Sequence, residues 1–248
     1  MDDGVLSARL WEGFAQLQAL LGGHAGPGRV IERDGLVASV VPGSPDSPTL
    51  NAAVAVDPDR APEYLRELEQ RYKDAKVRRW GLWMDGRAAL PAQALAQAGM
   101  VVTTASPGMG ARLDEMATNR DEPVKADLVT VGRVNDLAYG NYDGRLERTL
   151  QPLPNGIVHG YRVDHDGKPA AVALALHHNG DCGVSFVATV PKARRQGLGT
   201  QVMRQVFSAA KHDGCTTTTL QATDVGERLY RALGFQHLCV MQLWELRR

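Results

Sequence analysis

Val187-Ala188-Thr189-Val190-Pro191-Lys192-Ala193-Arg194-Arg195-Gln196-Gly197-Leu198-Gly199-Thr200 decides how this chain is read. Val184, Phe186, Val187 and Val190 form an apolar, largely β-branched run that predicts a buried strand ended by Pro191. After Gly199 the spacing of Val202, Met203, Val206, Phe207 and Ala210 predicts a helix with one core-facing stripe. A strand, a basic glycine-bearing loop and a helix start together make an anion device. The first helical N–H groups lack intrahelical partners, and the helix dipole adds positive potential there. Gly197 and Gly199 permit close backbone approach, and Lys192, Arg194 and Arg195 add charge. The competing reading is a plain basic turn capping an ordinary helix.

Two familiar phosphate loops do not fit. A Walker loop needs Lys and then Ser or Thr after its last glycine, whereas Gly199 precedes Thr200 and Gln201. A dinucleotide fingerprint needs a third glycine where Val202 stands and glycines close behind the strand, but Pro191 to Gln196 intervene. A nucleotide-dependent oxidoreductase is disfavoured accordingly.

Arg194-Arg195-Gln196-Gly197-Leu198-Gly199 follows the pattern (Gln/Arg)-x-x-Gly-x-(Gly/Ala), and Leu229-Tyr230-Arg231-Ala232-Leu233-Gly234-Phe235 follows L-Y-x-x-x-G-F. In this order, over about its last 120 residues, the chain resembles the GNAT superfamily of N-acetyltransferases. The resemblance implies acetyl-CoA as donor. Its pyrophosphate is expected on the N–H groups of Arg195, Gln196, Gly197, Leu198, Gly199 and Thr200, beside Arg194. Its pantetheine arm is expected along Val187, Ala188, Thr189 and Val190, with the thioester carbonyl on an N–H near Ala188 or Val190. Tyr230 matches the tyrosine that protonates the departing sulfur. Asp224 stands near the position where many relatives carry an asparagine on the pantetheine, and its other reading is a helix cap. Tyr139 and Tyr142 either face the acceptor or simply pack.

No general base is evident. His177 and His178 fall at a hairpin tip and, being adjacent on a strand, face opposite ways, so they do not suit one metal. They read as solvated turn residues, and His159 lies on a strand of unassigned face. No metal is expected. The function implied is acetyl transfer from acetyl-CoA to a primary amine by direct attack in a ternary complex. The acceptor is a small-molecule amine or, as the other option, a protein amine. A non-catalytic CoA-binding sensor or scaffold is the alternative.

Composition agrees with an ordinary globular protein: 248 residues, 44% hydrophobic, 23% charged, with 28 basic and 28 acidic residues. This balance offers no basis for a nucleic-acid or membrane partner. No stretch approaches the roughly 18 apolar residues of a membrane span, and Cys182, Cys215 and Cys239 lack metal spacing, so a reducing cytoplasm is expected.

The predicted elements repeat. Helix 5–21, strands 29–33, 36–41 and 51–56, helix 60–72, strand 80–84, helix 91–97 and strand 109–113 come first. Helices 131–139 and 145–150 follow a polar segment at 119–123, then strands 157–163, 169–176 and 183–190. The helix after Gly199, strand 216–222, a helix around Val225–Leu233 and strand 238–246 complete the chain. Asp166-Gly167 and Asn179-Gly180 predict primed hairpin turns. Val54-Ala55-Val56-Asp57-Pro58 answers Val187–Pro191, Gly99-Met100 answers Gly234-Phe235, and Met109 answers Met241, all about 130 residues apart. The expected architecture is α+β: two tandem GNAT-like domains, each a mostly antiparallel mixed sheet flanked by helices. Residues 1–122 form the first and 123–248 the second. The first carries Asp59-Arg60-Ala61-Pro62-Glu63-Tyr64 where the second has its glycine loop, so it reads as degenerate.

Overall fold

A computed structural model describes residues 3–24, 26–119, 121–154 and 156–246. In chain order these form α1 (Asp3–His24), β1 (Arg29–Arg33), β2 (Leu36–Val40), β3 (Ala52–Ala55), α2 (Ala61–Asp74), β4 (Gly81–Asp85), α3 (Ala89–Gln97) and β5 (Met100–Arg112). Then follow β6 (Lys125–Ala126), α4 (Leu128–Tyr139), α5 (Arg145–Leu150), β7 (Val158–His165), β8 (Lys168–His178) and β9 (Asp181–Thr189). The last elements are α6 (Leu198–His212), β10 (Thr217–Gln221), α7 (Asp224–Leu233) and β11 (Gln236–Leu246). Among the described residues no helix is long and apolar enough to cross a membrane.

Two compact units emerge. One comprises Met1–Gly13 and Met109–His237, the other Phe14–Gly108 and Leu238–Arg248. The division is interlaced, where the sequence suggests one cut between 122 and 123. Residues 3–13 join the later unit, and the closing strand β11 falls almost wholly in the earlier one. Strand β5 also starts nine residues before the expected Met109, because Val101, Val102, Thr103 and Thr104 extend it and Pro107 does not end it.

In the earlier unit β1, β2, β3, β4 and β11 lie side by side. β1–β2 and β2–β3 are antiparallel, β3–β4 parallel and β4–β11 antiparallel. Its core gathers Leu36, Ala38, Ala53, Leu68, Tyr72, Leu82 and Met84. Tyr72 stacks on Trp80 at 4.8 Å and donates its hydroxyl to the Ser39 carbonyl. That hydrogen bond lets a tyrosine sit in an apolar core without an orphaned oxygen.

The later unit has the same plan. β7–β8 and β8–β9 are antiparallel and β9–β10 parallel, with β6 at the edge beside β7. Counting from β1 in one unit and from β7 in the other, a helix follows the third strand (α2, α6) and another follows the fourth (α3, α7). The hairpins turn as the sequence predicts: Asp166-Gly167 and Asn179-Gly180 both hold positive φ, the signature of a type I′ turn. Side-chain alternation sends Tyr161, Val163, Ala171, Ala173 and Ala175 to the α6 face, where Val202, Met203, Val206 and Phe207 meet them.

The other face carries α4, which packs on β7, β8 and β9. Helices α4 and α5 approach so closely that a Cβ on Gly132 would stand 2.4 Å from Glu147 Cα. Asp136, buried on α4, accepts from the backbone N–H of Leu146 and Glu147 and so caps α5 in place of its glycine N-cap. Gly132→Ala is therefore expected to force the helices apart and cost about 1–3 kcal/mol. Chemical denaturation measures this, and an unchanged midpoint would contradict the packing.

Candidate active site

Strand β9 is paired on both sides only at its start. Against β10 the register runs from Asp181–Thr217 to Val184–Leu220 and stops there, while β9 continues to Thr189. Against β8 the pairing persists, but it shifts between Leu174–Ser185 and Val172–Ala188, so β9 carries an extra residue there. The extra residue is a β-bulge, and Phe186 within it adopts φ +53°. Such a conformation is costly for a residue with a large side chain and persists only when neighbours hold it. Here Asn135 of α4, itself buried, donates Nδ2 to the Phe186 carbonyl at 3.2 Å.

Beyond the bulge the backbone groups alternate in direction. Val190 N–H bonds to the Ala170 carbonyl at 2.9 Å. By antiparallel alternation Ala188, paired with Val172, turns to the same side. Val187 and Thr189 therefore face the side that β10 has left. Of the two positions expected to hold the thioester, Val190 already has its N–H on the Ala170 carbonyl, and the alternation presents Val187 and Thr189 to the open side.

The strand runs into the glycine-bearing loop ahead of α6. Arg195 and Gly197 both hold left-handed backbone, at φ +64° and +79°. Gly197 is the N-cap of α6 and has no side chain to cap it. The first helical bond runs from Gln201 N–H to the Gly197 carbonyl, so the N–H groups of Leu198, Gly199 and Thr200 have no place in the helical ladder. A Cβ at Gly197 would meet nothing within 4 Å, so the ground before it is open. A Cβ at Gly199 would stand 3.3 Å from Leu229 Cδ2, so this glycine permits close passage of α6 and α7.

Arg194 does other work than the sequence suggests. Its Nε donates to the Thr189 carbonyl at 3.1 Å and its Nη2 to the Ala138 carbonyl at 2.6 Å. It ties the end of β9 to the last turn of α4. Lys192, Arg195 and Gln196 are exposed on the loop.

On α7, Thr223 rather than Asp224 is the N-cap, its hydroxyl accepting from Gly226 N–H at 3.1 Å. Asp224 occupies the first helical turn with its side chain exposed. Tyr230 is 7% exposed and packs edge-on against Phe235, in the cluster that Val187, Val190 and Leu229 border. Burial raises its phenol well above the ordinary value, with a smaller contribution from the nearby Tyr139. Tyr139 is 57% and Tyr142 84% exposed, so neither packs away. The loop, the open edge of β9, Tyr230 and Tyr139 thus belong to one region. Asn135, Phe186 and Thr223 are the members that sequence reasoning missed; for Phe186 no residue type signals the bulge.

In this region a ligand with an extended amide-bearing arm can pair along Val187–Thr189 while its anionic end rests on the first turn of α6. In sequence, residues 133–235 match the acetyltransferase (GNAT) family. No curated protein matches the chain in sequence. A GCN5-related N-acetyltransferase from Kribbella flavida superimposes with a TM-score of 0.70 at 21% identity, covering 98% of this chain and 96% of that one. A GCN5-related N-acetyltransferase from Sphaerobacter thermophilus gives 0.58 at 15% identity, covering 88% and 83%. A tandem GNAT protein from the clavulanic acid biosynthesis pathway gives 0.56 at 16% identity, covering 86% and 80%. The chain has a GNAT acetyltransferase fold.

Asn135→Ala is expected to strip the Phe186 carbonyl of its buried donor and cost about 1–3 kcal/mol. Thermal unfolding of the variant measures the loss. A variant as stable as the parent would show that the bulge does not depend on α4.

Proposed function

We propose that this protein transfers an acetyl group from acetyl-CoA to a primary amine of a small molecule, by direct attack in a ternary complex. The observation that carries the reading is the splayed β9, whose unpaired Val187–Thr189 edge leads straight into the left-handed loop and free N–H groups of α6. The pyrophosphate would rest on Leu198, Gly199 and Thr200, with Lys192 and Arg195 supplying charge. The pantetheine amides would extend the sheet along Val187 and Thr189. An N–H of Val187 or Thr189 aimed at the thioester oxygen would stabilise the negative charge developing there.

The amine nitrogen attacks the thioester carbon, the carbon–sulfur bond breaks, and the sulfur leaves as a thiolate that takes the Tyr230 proton. Burial penalises both anions, so the raised phenol faces a sulfur whose own basicity rises in the same surroundings. The attacking amine releases its proton to solvent, and the Tyr230 phenolate regains one from solvent before the next turnover. Tyr139, exposed beside Tyr230, lines the approach for the acceptor.

The earlier unit is read as a second GNAT-like domain that has lost its ligand seat, with 1–122 and 123–248 as the ancestral halves. At the matching position Pro62 removes one first-turn donor of α2, and Glu63 adds a carboxylate. Arg60 is engaged by Asp34 and Glu63. No anion seat remains there. Balanced charge supports a small-molecule acceptor over a polyanionic partner.

Acetyl-CoA at 100 times its Kd is expected to stabilise the protein by about 2.7 kcal/mol. Gly197→Glu, with a carboxylate where the anion would sit, is expected to lose that shift in a thermal melt. Absence of a wild-type shift would overturn the proposal. Tyr230→Phe is expected to lower kcat by roughly 10²–10⁴-fold, the range for a lost acid catalyst, with acetyl-CoA binding retained. Because the phenol pKa is raised, Tyr230 keeps its proton as pH rises, so deprotonation of this group should not cut wild-type turnover until past about pH 10, the ordinary tyrosine value. Unchanged kcat in Tyr230→Phe would remove it from the mechanism, and binding without turnover against a broad amine panel would favour the sensor reading.

A further inference from the structure

At the far end of β8 from the candidate site, His177 does not occupy the hairpin tip. It is a strand residue, with its side chain only 18% exposed. His159 pairs in register with Ala175 on β8, so His177 is its diagonal neighbour on the same face. The two rings lie 4.8 Å apart. That face is the one α6 covers, and Asp213 is the C-cap of α6. Its Oδ2 stands 3.4 Å from His177 Nδ1. One potential ligand atom from each of His159, His177 and Asp213 lies within 4.8 Å of the other two.

Three features of this cluster call for a cation. His177 turns Nδ1, and not its buried, unpartnered Nε2, toward the Asp213 carboxylate, so Nδ1 and that carboxylate are the pair poised to share a cation. Asp213 places a carboxylate at the negative end of the α6 dipole, where anions are disfavoured. Two imidazoles and a carboxylate are the donor set of three-ligand zinc centres, which keep a fourth position for water. Zinc–ligand bonds near 2.0–2.1 Å put tetrahedral ligands roughly 3.3 Å apart, the spacing His177 and Asp213 already have. The widest pair must close by roughly 1.5 Å on this measure. Lys125 faces the same cluster but its Nζ is hydrogen-bonded to the Tyr161 hydroxyl at 3.2 Å.

We propose that His159, His177 and Asp213 bind a divalent transition metal ion of the zinc type, clamping strands β7 and β8 to the C-terminal end of α6. The site stands apart from acetyl transfer: along β8, His177 and the Val172 that faces Ala188 are five residues apart, about 16 Å of strand.

The test uses tag-free, chelator-treated full-length protein titrated calorimetrically with Zn²⁺, and with Co²⁺ for its visible d–d absorption. One equivalent of each is expected, with the intense cobalt spectrum of a tetrahedral nitrogen–oxygen site. His159→Asn and Asp213→Asn should each weaken Zn²⁺ by at least about tenfold, since even groups that merely orient a ligand are worth that much. Asp213 is exposed, so Asp213→Asn keeps the experiment decisive if a histidine variant misfolds. Circular dichroism and the acetyl-CoA melt shift should be the same in the variants, which separates this site from the transferase reading. No saturable uptake by the wild type, or uptake that Asp213→Asn and His159→Asn leave unchanged, overturns the proposal.

Discussion

The parting of β9 from β10 after Val184 is the constraint on which the candidate site depends. A strand paired on both sides offers no backbone group to a ligand. The bulge at Phe186 ends that state, because an extra residue shifts the alternation and bends the strand. The strained Phe186 conformation is held by Asn135, and Asn135 is held by α4, whose packing against α5 rests on Gly132 and Asp136. Arg194 closes the arrangement from the other end by joining Thr189 to Ala138. The open edge is thus built by groups that need not touch a ligand.

The two units show what that construction adds. Their strand order and helix placement repeat, yet β3 is short and fully buried and leads to a helix start with Pro62 and Glu63. β9 is long, bulged and open, and leads to a glycine N-cap. Under the proposed reading, the later unit keeps a glycine-capped helix start for an anion and the earlier one does not. Function follows from the backbone at two short stretches.

Much of this was legible beforehand where a residue type has one conformational use. Asp166-Gly167 and Asn179-Gly180 announced their turns through positive φ, and the apolar stripe of α6 announced its face. Gly197 marked the helix start. What stayed hidden depends on partners far away in sequence. Phe186 has no residue-level mark because the bulge is imposed by Asn135, 51 residues earlier. Arg194 looked like a phosphate ligand, and only the fold reveals the two carbonyls it serves. The sequence points to Asp224 as the cap of α7, whereas the Thr223 hydroxyl is the group that reaches Gly226 N–H. The interlaced boundary was invisible for the same reason, since local pattern predicts that β11 is a strand without naming its neighbour.

The most direct measurement is residue-resolved amide hydrogen exchange with and without acetyl-CoA. The account requires added protection at Val187, Thr189, Leu198, Gly199 and Thr200, with Val190 unchanged because Ala170 already holds its N–H, and with 52–64 of the earlier unit unaffected. Protection gained around Asp57–Tyr64, or none along Val187–Thr189, would contradict it.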